Sequence, residues 1–541
     1  MALAQRSVAE AAQNHWREAL TIPLRLLLQR RLAPFALAAI CLIVAVAFQW
    51  RGPNSIAVAD GISYIASGLS LMRNGSLTNP FGEPEVWFPP FYPFLIGLFS
   101  LNGNIDPVWA ARAISLVCAL LSLYLVLRTS EVIEPRSGLL LFLAPLVLAA
   151  SPVFQQYGNA VMSESLATAL NLLAFVCWMR LPRDCRRIDL LLVGVFVGLS
   201  YLTRPEALIL IPAWAAIDAC HFGARQGVRR LGLMCAAASL LVVPYSTYLY
   251  SMTGQLALSG KAEVNLAGGR SEYYGCPREY INPATLDMEY YPCTVTLGQE
   301  ASRIATNLKR IVSDYTEMFR YGIGAAIPIA GAIGALVLIR GKQWRVLLSL
   351  VATCAYLLVI PLFSVGTRFL HATLPAVSVL AAMGFREILL GLRLPGRGLC
   401  RQLMLVAFLA WALFGIAEGA TRQPRWAFQQ GPGRALLLRQ AGLKMKEAGF
   451  PVGVMYEDGA STGYYAGQMR RRLIRGTPLG TLVQFIKKHE AGHMPVWLVL
   501  RSGEEYQASL GQMLSHDSSA FEKALSIRDD HEEVTVYRYR R

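Results

Sequence analysis

Apolar residues in this chain fall in long uninterrupted blocks rather than at the three-to-four spacing of a soluble amphipathic helix. Blocks of spanning length, or close to it, lie at 32–50, 107–127, 138–152, 163–180, 188–203, 205–220, 231–250, 319–339, 346–363, 369–391 and 402–418. They predict about eleven membrane-spanning helices, since a bilayer core is crossed by about 20 apolar residues. The first block is too long for a secretory leader, and no small-residue cleavage site follows it, so it reads as a retained span.

The connecting segments alternate in charge. One set is basic, with Arg25, Arg30 and Arg31, then Arg128 and Arg136, Arg180 to Arg187, Arg225 to Arg230, Arg340 to Arg345, and Arg386 to Arg401. The other set of short connections carries almost no cation, Arg204 and Arg368 being isolated exceptions. Positive loops stay in the cytoplasm, which places the amino terminus inside and, with an odd number of spans, the carboxyl terminus outside. Three long segments then lie outside, at 51–106, 251–318 and 420–541. The expected architecture is a polytopic α-helical module over 1–419 and a small periplasmic α/β domain over 420–541. That domain is read as a helix at 434–448 stopped by Gly449, a strand at 452–457, a helix at 479–489, and strands at 496–501 and 534–539.

Composition agrees with the membrane reading: 54% of the 541 residues are hydrophobic and 16% charged. The net charge of +16 would suggest nucleic acid in a soluble protein. The clustering of Arg and Lys in short loops between apolar blocks makes it a topology signal instead, and no nucleic-acid partner is expected. No phosphate-cradling glycine loop, dinucleotide fingerprint or solenoid repeat occurs, so no nucleotide-driven machine is expected. Of the ten cysteines only Cys276 and Cys293 fall in an outer segment, where an oxidising compartment favours a disulfide between them over two free thiols.

Chemistry-bearing residues concentrate outside. Directly after the first span comes Asp60-Gly61-Ile62-Ser63-Tyr64, followed by Ile65, Leu69 and Met72 on one helical face and a stop at Gly75, a pattern suited to a helix lying in the interface. Asp60 is either an N-cap or a functional carboxylate. Trp87-Phe88-Pro89-Pro90-Phe91-Tyr92-Pro93 is a stiff aromatic segment leading back to the membrane. Ser163-Glu164 opens one span, where Glu164 is either a first-turn acid or a site residue.

The order and sidedness of these features resemble the GT-C glycosyltransferases, in particular the branch of protein O-mannosyltransferases and aminoarabinose transferases, over essentially the whole chain. The resemblance implies transfer of a sugar from a polyprenyl-phosphate carrier to a lipid, glycan or protein acceptor at the outer face of the inner membrane, with inversion at the anomeric carbon. It makes Asp60 the catalytic base and Glu164 the second acidic position. Arg204, in Thr203-Arg204-Pro205, and Arg368, in Thr367-Arg368-Phe369-Leu370-His371, become phosphate ligands, with Tyr64, Tyr92 and Lys261 as further substrate contacts. The family often has two adjacent acids in its first outer loop, whereas Gly61 follows Asp60 here. No organic cofactor is implied, and a divalent metal is left open.

Two other readings compete. A lipid or solute transporter would share the many spans but place its polar groups at mid-membrane in inverted repeats, which this sequence does not show. His489-Glu490-Ala491-Gly492-His493 matches the His-Glu-x-x-His pattern of zinc proteases, which needs both histidines on one helix. Gly492 and Pro495 predict a helix end before His493, so no zinc site is expected.

Overall fold

The computed structural model describes residues 33–49, 59–183, 185–261, parts of 265–290, 293–318, 326–363, 367–391, parts of 406–417, 432–457, 461–473, 477–490, 494–502, 505–516, 520–528 and 532–540. The membrane module is helical throughout. In chain order its helices are α1 (Ala33–Gln49), α2 (Ala59–Asn74), α3 (Phe91–Phe99), α4 (Pro107–Ile133), α5 (Gly138–Ala149), α6 (Pro152–Tyr157), α7 (Glu164–Met179), α8 (Arg187–Tyr201), α9 (Leu210–Phe222), α10 (Ala224–Thr253), α11 (Leu297–Met318), α12 (Ala326–Arg340), α13 (Trp344–Ala352) and α14 (Leu374–Gly391). Among the described residues three helices are long and apolar enough to cross a bilayer by themselves, or four if one bent pair counts as a span, and several shorter apolar helices accompany them. The fold is that of a polytopic α-helical membrane protein, and the expected span over 402–418 lies largely outside the described residues.

The expected span at 346–363 is broken. Trp344–Ala352 and Ala355–Leu362 meet at 58°. Carbonyls at the end of a broken span need partners in a membrane. At the far end of the second arm the outer helix α11 supplies them: Arg303 donates to the Phe363 and Leu362 carbonyls at 3.1 and 2.8 Å, and Asn307 donates to the Pro361 carbonyl at 2.9 Å. Both polar side chains are buried for this purpose.

At the end of the bundle that carries the basic loops, Asp218 is fully buried and accepts from the Trp178 indole at 2.8 Å and from Arg230 at 2.9 Å, while Arg345 lies 3.7 Å away. These contacts tie α7, α9, α10 and α13 together.

The carboxyl-terminal domain is a five-stranded mixed sheet. Its strands are β3 (Val454–Glu457), β4 (Met469–Arg472), β5 (Val496–Arg501), β6 (Phe521–Arg528) and β7 (Glu533–Tyr539), following a small outer-loop hairpin of β1 (Glu279–Ile281) and β2 (Met288–Tyr290). The order is β4-β3-β5-β7-β6, parallel among the first three and antiparallel thereafter. Helices α15 (Pro432–Glu447) and α16 (Ser461–Ala466) cover one face, and α17 (Leu479–His489) and α18 (Glu505–His516) the other. Alternation decides this: Tyr456 and Leu498 join Leu482 and Leu510, whereas Met455 and Trp497 join Leu438 and Met445. The sequence reading found three of the five strands. It missed β4, which is rich in arginine, and β6, whose residues are mostly exposed.

This domain sits on the loops expected to be outside. Arg471 donates to the Phe81 carbonyl at 2.7 Å, Lys488 donates to the Thr285 carbonyl at 2.6 Å, and Tyr464 packs against the apolar core of the membrane module. The first two outer segments and the α/β domain therefore share one end of the bundle. The expected boundary at 419/420 falls outside the described residues.

Helices α12 and α14 approach so closely that only glycine fits at two points. A Cβ on Gly334 would lie 2.0 Å from the Leu380 carbonyl oxygen, and one on Gly384 1.8 Å from that of Ala330. Small residues at such crossings let backbones pack directly. Gly384→Val should therefore cost about 1–3 kcal/mol of stability by overpacking, measured by thermal unfolding in detergent. Gly391→Ala, with open space around it, should stay within about 0.5 kcal/mol of wild type. Equal stability of both variants would show that the crossing is looser than described.

Candidate active site

The site forms where α2 starts. Asp60 lies in the first turn of α2, and its carboxylate faces cations. Its Oδ2 accepts from Arg368 Nη1 at 2.8 Å and lies 3.8 Å from Lys261 Nζ. Burial alone would push this carboxyl up. Lys261, Arg368 and Arg204 outweigh that and hold it well below the usual carboxylate range. Lys261 shows the converse: burial, followed by the neighbouring Arg368 and Arg204, brings its ammonium down to about 8, although Asp60 and Glu85 oppose the shift.

A second ion group adjoins the first. Arg204 Nη1 donates to Glu164 Oε1 at 2.8 Å and its Nε to Glu206 Oε1 at 2.7 Å. The Phe369 ring lies near both guanidinium groups, 5.4 Å from that of Arg204 and 4.8 Å from that of Arg368. Glu164 is almost fully buried in the first turn of α7, and its Oε2 accepts no hydrogen bond in this structure. A buried carboxylate oxygen left open beside a cavity is an acceptor waiting for a donor.

That cavity, of about 290 Å³, is lined by Glu164, Arg204, Glu206, Arg368 and Phe369. It shares Asn171, Tyr356 and Ala372 with a neighbouring space of about 390 Å³ whose other walls are mostly apolar, including Leu172, Phe175, Leu350 and Val379. Asn171 and Tyr356 are joined by a 2.5 Å hydrogen bond at the seam between the two. The combined space has a charged head and an apolar tail, which suits an amphiphile with an anionic end.

The structure brings Asp60, Tyr64, Glu164, Arg204, Lys261 and Arg368 into one neighbourhood from five separate stretches of chain. Tyr64 is buried and its hydroxyl pairs with Ser163 Oγ at 3.1 Å, next to Glu164. Tyr92 stands behind it, stacked edge-on at 5.1 Å, with its hydroxyl turned away toward the Ala111 carbonyl and Ser115 at 3.4 Å. Tyr92, expected to touch substrate, is fully buried and serves as backing for Tyr64. Cys293 is disulfide-bonded, and its expected partner Cys276 lies outside the described residues. The described hairpin between the two cysteine positions pairs Glu279 with Tyr290.

Helix α17 ends at His489, and Glu490 has already left helical geometry and accepts from Tyr456 and Arg471. His493 lies outside the described residues, and the one-turn spacing on a single helix that the zinc pattern needs is not available to His489. Sequence reasoning overlooked Glu206, two residues from Arg204 in an otherwise apolar turn, and Glu85, Phe88, Asn171 and Tyr356, which carry no signal until the fold assembles them.

The layout defines a class: a multi-pass membrane protein with a charged site at the end of the bundle that bears its soluble domain. Residues 88–250 match the model of the dolichyl-phosphate-mannose-protein mannosyltransferase family. The whole fold is similar to ArnT from Cupriavidus metallidurans solved with undecaprenyl phosphate, at TM-score 0.59 and 11% identity over 92% of this chain and 97% of that one. It is similar also to the archaeal oligosaccharyltransferase AglB from Archaeoglobus fulgidus, solved with an inhibitory peptide and a dolichol-phosphate, at TM-score 0.55 and 12% identity over 87% and 69%. Arabinofuranosyltransferase AftD from Mycobacteria gives 0.51 and 14% over 93% and 40%. No curated protein sequence matches. The chain thus shares the fold of ArnT and AglB.

The Lys261 ammonium, charged below pH 8 or so and neutral above it, can be followed by competitive acylation and mass spectrometry. Wild type should show half-reaction near pH 8, against about 10.4 for an ordinary lysine. Since Asp60 favours the charged form, Asp60→Asn should move the midpoint further down. An unmoved midpoint would separate the two groups.

Proposed function

We propose that the protein is a membrane glycosyltransferase that moves a sugar from a polyprenyl-phosphate carrier to an acceptor hydroxyl at the outer face of the cytoplasmic membrane. The observation that carries the reading is the convergence of Arg204, Arg368 and Glu164 on one cavity whose neighbouring space is apolar, with Asp60 bonded to Arg368 and Lys261 beside that carboxylate. A prenyl chain suits the apolar space and the phosphate the cations; the fold shared with ArnT and AglB supports the same carrier class.

The reaction needs three things from the chain. The carbon–oxygen bond between the anomeric carbon and phosphate breaks while the acceptor oxygen forms the new one, so negative charge grows on a departing phosphate monoester. Arg204, Arg368 and Lys261 stabilise that charge where it develops. The acceptor proton passes to Asp60, and attack opposite to the leaving group inverts the anomeric centre. Glu164, through its open oxygen, receives a hydroxyl of sugar or acceptor.

Asp60 bound to Arg368 is a poor base, because its proton affinity is suppressed. The donor resolves this. Its phosphate competes for Arg368 and Lys261, draws them off the carboxylate, and restores basicity only when the substrate is present.

Asp60→Asn separates a catalytic from a structural carboxylate. The amide keeps size and one acceptor oxygen but takes no proton, so transfer should fall by about a hundredfold or more. Assay requires a polyprenyl-phosphate sugar, with a nucleotide sugar as negative control and the melting temperature measured in parallel. Turnover near wild type would remove Asp60 from the chemistry. Comparison of envelope lipids and glycans with and without the protein would name the sugar and acceptor together.

A further inference from the structure

Glu85 is a carboxylate in the first outer segment that the proposed transfer does not use. It is 2% exposed, and no guanidinium is bonded to it. Its Oε1 accepts the backbone amides of Trp87 at 2.8 Å and Phe88 at 3.1 Å, and Ser67 Oγ donates to its Oε2 at 3.5 Å. Its own backbone is pinned too: the amide donates to the Leu77 carbonyl at 3.0 Å, and the Tyr248 hydroxyl donates to the Glu85 carbonyl at 3.0 Å. A buried carboxylate is costly, so one that is kept is holding something in place.

What rests on this turn is the segment that carries Lys261. Gly260 lies so close that a Cβ there would come within 2.2 Å of the Val86 carbonyl oxygen. One residue on, the Lys261 ammonium sits 4.0 Å from the centre of the Phe88 ring and 3.8 Å from Asp60. From the far side the Tyr201 hydroxyl donates to the Leu258 carbonyl at 2.9 Å. The ring is itself buried and packed against Tyr64 at 4.7 Å.

We propose that Glu85 is a positioning residue: by closing over the Trp87 and Phe88 amides it shapes the turn on which Gly260 lies flat, and so seats the Lys261 ammonium between the Phe88 ring and Asp60. The consequence for donor binding rests on the reading of the site as a phosphate site; the seat itself does not. Burial pushes the Glu85 carboxyl up to about 7, against its two backbone amides and Lys261, and the groups that feel its charge are Lys261, Tyr245 and Tyr248.

Three variants test this: Glu85→Ala removes the acceptor, Gly260→Ala lifts the lysine segment off Val86, and Glu85→Gln keeps an acceptor without the charge. Two readouts are taken, the acylation midpoint of Lys261 and the split of KM and kcat for a polyprenyl-phosphate sugar. Glu85→Ala and Gly260→Ala should move the midpoint from near 8 toward that of an ordinary lysine. They should raise donor KM and lower kcat, for a combined loss of about tenfold in kcat/KM, since the ammonium serves both the bound and the departing phosphate. Glu85→Gln should recover KM and leave the midpoint at or below 8, because the lost charge favoured the ammonium. A midpoint that stays near 8 in folded Glu85→Ala and Gly260→Ala would overturn the seat. A shifted midpoint with unchanged KM would overturn its role in donor binding. The acylation arm needs no turnover, so it decides the seat even where transfer from the chosen donor is not observed.

Discussion

The contact on which the outer end of this molecule depends is the ion pair between Asp60 and Arg368, made between residues 308 positions apart in sequence. It joins the first outer helix to the start of a late span, and every other charged group of the site is placed relative to it. Lys261 reaches the same carboxylate oxygen from a second loop. Arg204 approaches Arg368 across the Phe369 ring and can do so only because Glu164 and Glu206 neutralise it. Three cations so close together would repel strongly in a partly desolvated site, and three carboxylates interleaved among them make the cluster tolerable.

That balance explains why the surrounding fold is rigid where a soluble enzyme would use a loop. Arg368 follows the broken span, whose last carbonyls, those of Pro361, Leu362 and Phe363, are held by Arg303 and Asn307 of the outer helix α11. The α/β domain adds bonds to the Phe81 carbonyl and to Thr285, fixing both outer segments from above. The two ion groups are thus supported from below by packed spans and from above by a folded domain.

The legibility of this arrangement in the sequence follows its physics. Long apolar blocks bury themselves whatever their partners, so the helices of the membrane module lie where hydropathy puts them, and Arg204 and Arg368 stood out because cations are otherwise avoided on the outer side. The break at Thr353 and Cys354 was invisible, since the apolar block at 346–363 runs through it with no Gly or Pro beside it. Glu85 reads as an ordinary exposed acid in Gly82-Glu83-Pro84-Glu85, and only the close approach of Val86 to Gly260 buries it. The motif around Tyr92 suggested a contact with substrate, and it gave no sign that the hydroxyl turns toward α4. Edge strands β4 and β6 escaped for a related reason, because an arginine-rich or exposed edge lacks the apolar alternation by which a strand is recognised.

The charge count of the resting site also bears on how it discriminates. With Asp60, Glu164 and Glu206 set against Lys261, Arg204 and Arg368, the cluster is close to neutral, so a simple anion gains little by entering; it must displace a carboxylate already in place. In the proposed transfer an amphiphile differs because its apolar part would be held separately, by the walls around Leu172, Phe175 and Val379. The favourable transfer of that chain from water or lipid headgroups would then offset the loss of the Asp60–Arg368 pair, which a free phosphate cannot do. On the same proposal, breaking that pair is what would free the Asp60 carboxylate to accept a proton. Binding of the tail and activation of the base would then be coupled through one salt bridge, and selectivity for a lipid-linked anion would follow from the coupling rather than from any contact to the lipid near the reacting atoms.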